Sequence, residues 1–325
     1  MKAVVIHAYG DESALKYEES PDPVIGAGEV LLRVRAASVN RGDIGRRRGG
    51  AAPTPLAQPL IIGWDVAGDV AAFGADVRNL RPGQRIVARL GGGGYAELAA
   101  VPASVAVPLP DQVSYEEAAS LPVVYLTAWV ALLDTAGLKA GETALVQSAG
   151  SGVGMAGVQI AKHVAGARVI TTAGSDEKVA KARAIGADLA INYATQDLVA
   201  EVMRFTGGRG VDVALDMVGG DVFSQSQRAL AEGGRLVSVG SSSGTPPQVD
   251  AGLGERKRQT VVTGWGLPRQ RTPEQAAQAL ARIVQHVAEG RLKPVVDRVF
   301  PMSEAAEAHR YLASRAAFGK VLLRP

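Results

Sequence analysis

The chain has 325 residues, a length at which two cores of roughly 100–200 residues each are expected, and its 47% hydrophobic and 21% charged residues are ordinary for a globular protein. The absence of cysteine excludes disulfides, thiolate catalysis and every cysteine-containing zinc site, and a net charge of +3 is too mild to mark a nucleic-acid binder. The four histidines, His7, His163, His286 and His309, are scattered along the chain and none is near another histidine, so no metal site is expected. No apolar run reaches the ~20 residues that span a bilayer, and the opening Met1-Lys2-Ala3-Val4-Val5-Ile6 has no signal-peptide pattern; the expectation is a cytoplasmic protein without a membrane partner.

Short β-like runs punctuated by Gly and Pro come first: Ala3–His7, Glu29–Ala36, Ile62–Phe73, Arg85–Ala88 and Glu97–Pro102. They predict a β-rich, barrel-like domain over residues 1–121. Within it Arg46-Arg47-Arg48, flanked by Gly45 and Gly49-Gly50, reads as a loop, with a solvated surface favoured over an anion site. Ser114 and Glu117 form a capping box that opens an apolar helical stretch through Leu121, and the texture changes there.

From 122 to 265, strands and helices alternate: Thr143–Gln147 strand, Gly154–Ala165 helix, Arg168–Thr172 strand, Glu177–Ile185 helix, Leu189–Asn192 strand, Leu198–Thr206 helix, Val211–Asp216 strand, Phe223–Leu230 helix and Arg235–Gly240 strand. This spacing predicts an α/β domain, a doubly wound parallel sheet with near-continuous apolar strands. Residues 266–325 carry an amphipathic helix, Pro273–Glu289, closed by Gly290, then a short helix near Ser303–Ala313 and a strand, Gly319–Leu323, that is expected to return to the first domain.

The chemistry lies in the first strand–helix turn of the alternating region. After Thr143–Gln147 come Ser148-Ala149-Gly150-Ser151-Gly152-Val153-Gly154-Met155-Ala156-Gly157, a Gly-x-Gly-x-x-Gly that runs into a helix and is followed by a second strand. Glycine lets the backbone turn tightly and a pyrophosphate approach it, and the helix N-terminus faces the negative charge. Ser151, Gly152, Val153 and Gly154 therefore form a dinucleotide cradle. NAD enzymes place a carboxylate after the second strand; here Ala173-Gly174-Ser175 follow Thr172, with Lys178 close behind. A hydroxyl and a cation suit a 2′-phosphate, and Asp176 and Glu177 suit the first turn of the next helix, so NADP is favoured over NAD.

With these residues assembled, nearly the whole chain resembles the medium-chain dehydrogenase/reductase superfamily, in its zinc-independent quinone oxidoreductase (zeta-crystallin-like) branch. The likeness is carried by Ala37-Ser38-Val39-Asn40-Arg41-Gly42-Asp43, Gly63-Trp64-Asp65-Val66-Ala67-Gly68, Arg81-Pro82-Gly83-Gln84-Arg85-Ile86, the glycine turn, Gly186-Ala187-Asp188 with Ile191-Asn192-Tyr193, and Gly319-Lys320-Val321. It implies a GroES-like catalytic domain beside a Rossmann domain. Zinc-dependent relatives carry a cysteine where this chain has Val39-Asn40 and a histidine where it has Trp64, so their metal chemistry does not transfer.

Position by position, the resemblance implies that Asn40 lies at the nicotinamide and the active site, with Asp43 beside it in the Asn-x-x-Asp motif, and that Thr127 meets the carboxamide. It implies that Gly174, Ser175, Lys178 and Tyr193, joined by Arg315, hold the adenosine phosphate, and that Gly240 and Ser241 line the nicotinamide side. Asn40 and Asp43 also suit a turn cap, Tyr193 a core aromatic and Gly240 a strand end. Where relatives often have a tyrosine two residues beyond the aspartate, this chain has Gly45.

The expected activity is metal-free transfer of a hydride from NADPH to a small-molecule quinone or other α,β-unsaturated carbonyl bound between the two domains, with Asn40 orienting acceptor or ring and no side chain declaring itself as the acid. Two alternatives are a 2-alkenal or enoyl-thioester reductase of the same fold, and an NADPH-regulated RNA-binding or sensor protein. The resemblance also implies a homodimer or homotetramer paired through an edge strand near Thr260–Gly264.

Overall fold

The computed structural model describes residues 1–50, 56–264 and 271–325. The chain divides into two compact units, Met1–Val123 with Arg271–Gly290 and Pro294–Pro325, and Val124–Gln270 with Arg291–Lys293. The expected boundary at 265/266 lies outside the described residues.

The first unit is built on strands. β1 (Lys2–Ile6) sits between β2 (Lys16–Glu19) and β4 (Leu60–Ile61) in a small antiparallel sheet. The larger sheet centres on β3 (Glu29–Val39), whose partners are β5 (Asp65–Phe73), β7 (Leu98–Pro102) and β16 (Lys320–Arg324). β6 (Arg85–Arg89), β8 (Val107–Pro108) and β15 (Val296–Pro301) complete it. One core gathers Leu32, Val66, Ile86 and Tyr95 with Phe300, Val321 and Leu323, so the last strand is part of the first unit's interior. Helices α1 (Arg41–Arg47), α2 (Tyr115–Ala119), α9 (Pro273–Ala288) and α10 (Ala305–Ala313) belong to this unit. The Ser114 and Glu117 capping box starts α2 as expected, and Thr272 with Gln275 starts α9 in the same way.

Two expectations about this unit are corrected by the structure. Arg46 and Arg47 lie in a helix, α1, rather than a loop: Asp43 anchors its first turn and the Arg47 side chain is drawn into the interior. Ile62–Trp64 is not strand, since Gly63 adopts φ +100 and lies under the Tyr95 ring. Two strands had no readable signal. β2 is Lys-Tyr-Glu-Glu at a sheet edge, and β15 is a mostly exposed edge strand, so neither carries a burial alternation.

The second unit is a six-stranded parallel sheet. Its strands are β9 (Thr143–Val146), β10 (Arg168–Ala173), β11 (Leu189–Asn192), β12 (Val211–Asp216), β13 (Leu230–Ser238) and β14 (Thr260–Thr263), in the order β11-β10-β9-β12-β13-β14. The order reverses direction between β9 and β12, the switch point at which such sheets bind ligands at their carboxyl ends. β9 is buried along its whole length, as a strand covered on both faces must be. The crossover helices are α4 (Gly152–Gln159), α5 (Asp176–Ala184), α6 (Leu198–Phe205) and α7 (Gly220–Ala229), with α3 (Pro122–Trp129) before the sheet and α8 (Ala251–Arg256) before β14. The expected helix over Phe223–Leu230 starts earlier, and Leu230 already opens β13, whose pairing with β12 shifts register near Val211. Lys293 is tied to α4 by two bonds with Gln159, N–H to Oε1 at 2.7 Å and Nε2 to the carbonyl at 2.9 Å.

Candidate active site

In the second unit, β9 ends in a turn that the sequence builds for close approach. Ser148 takes φ +55, a left-handed conformation unusual for a residue with a side chain. Its N–H donates to Thr172 Oγ1 at 2.9 Å, and Thr172 Oγ1 donates to Gln147 Oε1 at 2.6 Å, which locks the ends of β9 and β10 together. Ser151 then caps α4, its Oγ accepting the Gly154 N–H at 3.0 Å and donating to the Ser148 carbonyl at 2.9 Å. A Cβ at Gly154 would collide with the Ser148 carbonyl, so only glycine permits the turn. Gly157 brings α4 onto the sheet: a Cβ there would stand 3.0 Å from Val146 Cγ1 and 3.1 Å from Leu215 Cδ2. Gly152 and Val153 are the first two residues of α4, where N–H groups lack an intrahelical acceptor. The residues fit a pyrophosphate.

At the end of β10, Gly174 is exposed and its backbone lies against the hydroxyl end of Tyr193. Tyr193 is 60% exposed, so it is a surface aromatic rather than a core one. Ser175 caps α5 by accepting the Lys178 N–H at 3.3 Å, which brings Ser175 and Lys178 to one helix end. Asp176 is in the first turn, and its carboxylate accepts from Asn192 Nδ2 at 2.7 Å. Thus Gly174, Ser175, Lys178 and Tyr193 form one group. Thr127 is in α3, and Gly240 and Ser241 follow β13 at the carboxyl ends of the strands. Asp216, buried at the end of β12, accepts from the N–H groups of Val218 and Gly219 and from Ser238 Oγ, and burial raises its pKa above the usual range. Sequence reading passed over Asp216, Gln147 and Thr172, whose pairing is visible only in the folded sheet.

Asn40, Asp43 and Arg315 belong to the first unit. Asn40 is 5% exposed, at the junction of β3 and α1. Its N–H donates to Asp43 Oδ2 at 2.8 Å, so Asp43 caps the turn. Its side-chain amide makes two close bonds within the fold: Lys320 Nζ donates to Oδ1 at 2.6 Å, and Nδ2 donates one hydrogen to Asp65 Oδ2 at 3.0 Å, with a longer contact of 3.5 Å to Ser38 Oγ. Ser38 Oγ also donates to Asp65 Oδ2, at 2.8 Å. Asp43, Asp65 and Lys320 are all essentially inaccessible, and Asp43 Oδ1 and Asp65 Oδ1 have no hydrogen-bond partner among the described residues.

A second chain of polar groups reaches Asp43 from behind. Tyr95 Oη donates to Asp43 Oδ2 at 3.2 Å and lies 3.3 Å from His309 Nε2; His309 Nδ1 lies 3.1 Å from Arg47 Nη1. A guanidinium can only donate, so His309 Nδ1 accepts and Nε2 carries the proton toward Tyr95. Arg47 continues to Glu12 at 2.9 Å. Burial, then the Asp65 charge, raises Asp43 to about 7. Burial, then Arg47, lowers His309 to about 3. Burial lowers Lys320 below its usual range against the pull of both aspartates. Of this assembly only Asn40 and Asp43 were named as site residues from the sequence. In the sequence Asp65 and Lys320 stand only within the stretches that carry the family likeness, and Arg47 stands in a triplet that suits a solvated surface.

Residues 26–111 match the family described as alcohol dehydrogenase GroES-like domain, and residues 185–323 match that described as zinc-binding dehydrogenase. The chain is 36% identical over 307 residues to quinone oxidoreductase-like protein 2 of Bos taurus, covering 94% of this chain and 87% of that protein. Among solved structures it superposes on an Escherichia coli quinone oxidoreductase complexed with NADPH at TM-score 0.90 with 31% identity, both chains covered in full. A structure titled NAD-dependent alcohol dehydrogenase gives TM-score 0.90 with 35% identity, again over both whole chains. The CurK enoyl reductase gives TM-score 0.89 with 29% identity over 99% of this chain and 98% of that one.

The zinc in the second family's description does not fit the donors around Asn40. The amide oxygen already accepts from an ammonium, the chain has no cysteine, and among the described residues no three His, Asp or Glu side chains gather as a ligand set.

Proposed function

The chain belongs to the medium-chain dehydrogenase/reductase superfamily, in its quinone oxidoreductase branch, and from this premise we propose that it reduces conjugated carbonyl acceptors, quinones foremost, with NADPH and without a metal. The observation that carries the reading is the cradle at the switch point of the parallel sheet, where Ser151, Gly152, Val153 and Gly154 open α4 directly after β9. Gly174, Ser175, Lys178 and Tyr193 would hold the 2′-phosphate and adenine: no carboxylate ends β10, and Asp176 is occupied by Asn192. Arg315 would add a second cation, and Thr127, Gly240 and Ser241 would meet the nicotinamide. When bound, NADPH supplies a hydride to the acceptor carbon.

What remains for the protein is to receive the negative charge that appears on the acceptor oxygen. A quinone or enone spreads that charge by resonance, so hydrogen-bond donors are sufficient and no Lewis acid is needed. Asn40 is the donor the chain offers, with water delivering the final proton. Asp43 fixes the backbone of Asn40 and is itself buried, so its part is to position rather than to touch the acceptor.

The test is NADPH and NADH oxidation with a panel of quinones, 2-alkenals and enoyl thioesters, before and after exhaustive chelation. NADPH-linked quinone turnover that survives chelation supports the reading; activity lost on chelation and restored by zinc overturns the metal-free part. The likeness to an enoyl reductase favours the enoyl thioester as the second acceptor class, and the same panel ranks the two. An RNA-binding role has less support than the sequence allowed, because Arg47 is buried and two arginines of the triplet, not three, reach solvent. We also propose a homodimer or homotetramer, formed through β14, and a cytoplasmic location.

A further inference from the structure

Resting on the reading of Asn40 as the oxyanion donor, we propose that Lys320 is a positioning residue for the reduction: its buried ammonium fixes and polarises the Asn40 amide so that an Nδ2 hydrogen is presented to the acceptor oxygen.

The geometry leaves the amide one orientation. An ammonium donates and never accepts, so the group 2.6 Å from Lys320 Nζ is the amide oxygen; a carboxylate only accepts, so the group 3.0 Å from Asp65 Oδ2 is the amide nitrogen. Of the two Nδ2 hydrogens, one is committed to Asp65, and the other has only the 3.5 Å contact to Ser38 Oγ, whose own proton goes to Asp65. That second hydrogen is the donor. A full positive charge on the amide oxygen draws electron density from the nitrogen, which strengthens the bond the hydrogen makes to a developing anion. The cation is preorganised: Lys320 is 2% exposed, at the first position of β16, and its ammonium also reaches the Val39 carbonyl at 3.4 Å and Asp65 at 4.0 Å. Burying a lysine is costly, and β16 needs no charge at that place to pair with β3 and β15.

A counter-ion role for Lys320 toward Asp65 is separable from this one by charge. Lys320→Met leaves Asp65 unbalanced and can fail to fold; Lys320→Met with Asp65→Asn restores neutrality and shape. The experiment measures kcat and KM for the acceptor, NADPH binding by fluorescence and thermal melting, for wild type, both of these variants and Lys320→Arg. The expected result is a kcat at least ~10-fold lower in the double variant than in Asp65→Asn alone, measured alongside it, with melting near wild type and NADPH binding within about twofold, and partial recovery in Lys320→Arg. Wild-type kcat in a folded Lys320→Met or in the double variant overturns the proposal and leaves the functional reading standing. A wild-type protein that turns over none of the acceptors overturns the functional reading and this proposal with it.

Discussion

At the scale of single residues, the chain buries charge where hydrophobic residues would be cheaper, and two of those residues predict a pH signature. Asp43 is raised from 3.8 to about 7, so between those values the folded chain holds a proton that the unfolded chain releases; its contribution, full below about pH 4, is lost as pH rises through 7. His309 is lowered from 6.5 to about 3, so the unfolded chain holds the extra proton; its contribution is full above about pH 6.5 and is lost as pH falls toward 3. Between about pH 4 and 6.5 the two slopes, each ~1.4 kcal/mol per pH unit, are opposite and cancel. Relative to wild type, His309→Gln should therefore lose stability as pH rises from 4.5 to 6, and Asp43→Asn should gain it. Urea unfolding at three pH values measures both, and parallel curves for the three proteins would refute the pairing. The arginine triplet gives a second prediction. Arg47→Ala strands Glu12 and His309 and should cost about 3 kcal/mol, whereas Arg46→Ala and Arg48→Ala, at exposed positions, should stay within about 0.5 kcal/mol.

At the scale of elements, most of the second unit could be read from the sequence. Strands such as Val-Asp-Val-Ala-Leu-Asp at β12 and the strand-turn-helix around Gly154 carry local patterns, because a strand covered on both faces must be apolar and a turn against a helix N-terminus must be small. α1 could not be read so. Arg-Gly-Asp-Ile-Gly-Arg-Arg has two glycines and no periodic apolar face, and its helix rests on Asp43 and Arg47 finding partners far away in sequence. Three predictions belong to the helix ends. Ser151→Ala removes the α4 cap and should cost about 1 kcal/mol in unfolding experiments, while Gly154→Ala should weaken NADPH binding at least ~10-fold by forcing the turn open. Lys178→Ala should reduce the preference for NADPH over NADH by about tenfold, measured as the ratio of kcat/KM values; an unchanged ratio would remove Lys178 from the phosphate pocket.

At the scale of the whole molecule, β14 pairs with β13 on one side, and among the described residues no strand covers its other edge. Association through that edge is expected to give twice or four times the mass of the 325-residue chain in sedimentation, and a mass of one chain would refute it. The alternation of the second unit, the glycine turn that opens α4, the missing carboxylate after β10 and the absence of cysteine can all be read from the sequence, since each is a local pattern or a composition. The tertiary structure alone decided what surrounds Asn40. Lys320 is 280 positions away, and Asp43 meets Tyr95 across 52 and Arg47 meets His309 across 262. Periodicity records which faces are buried, but a buried charge is tolerable only beside its partner, and that partner is named by the fold.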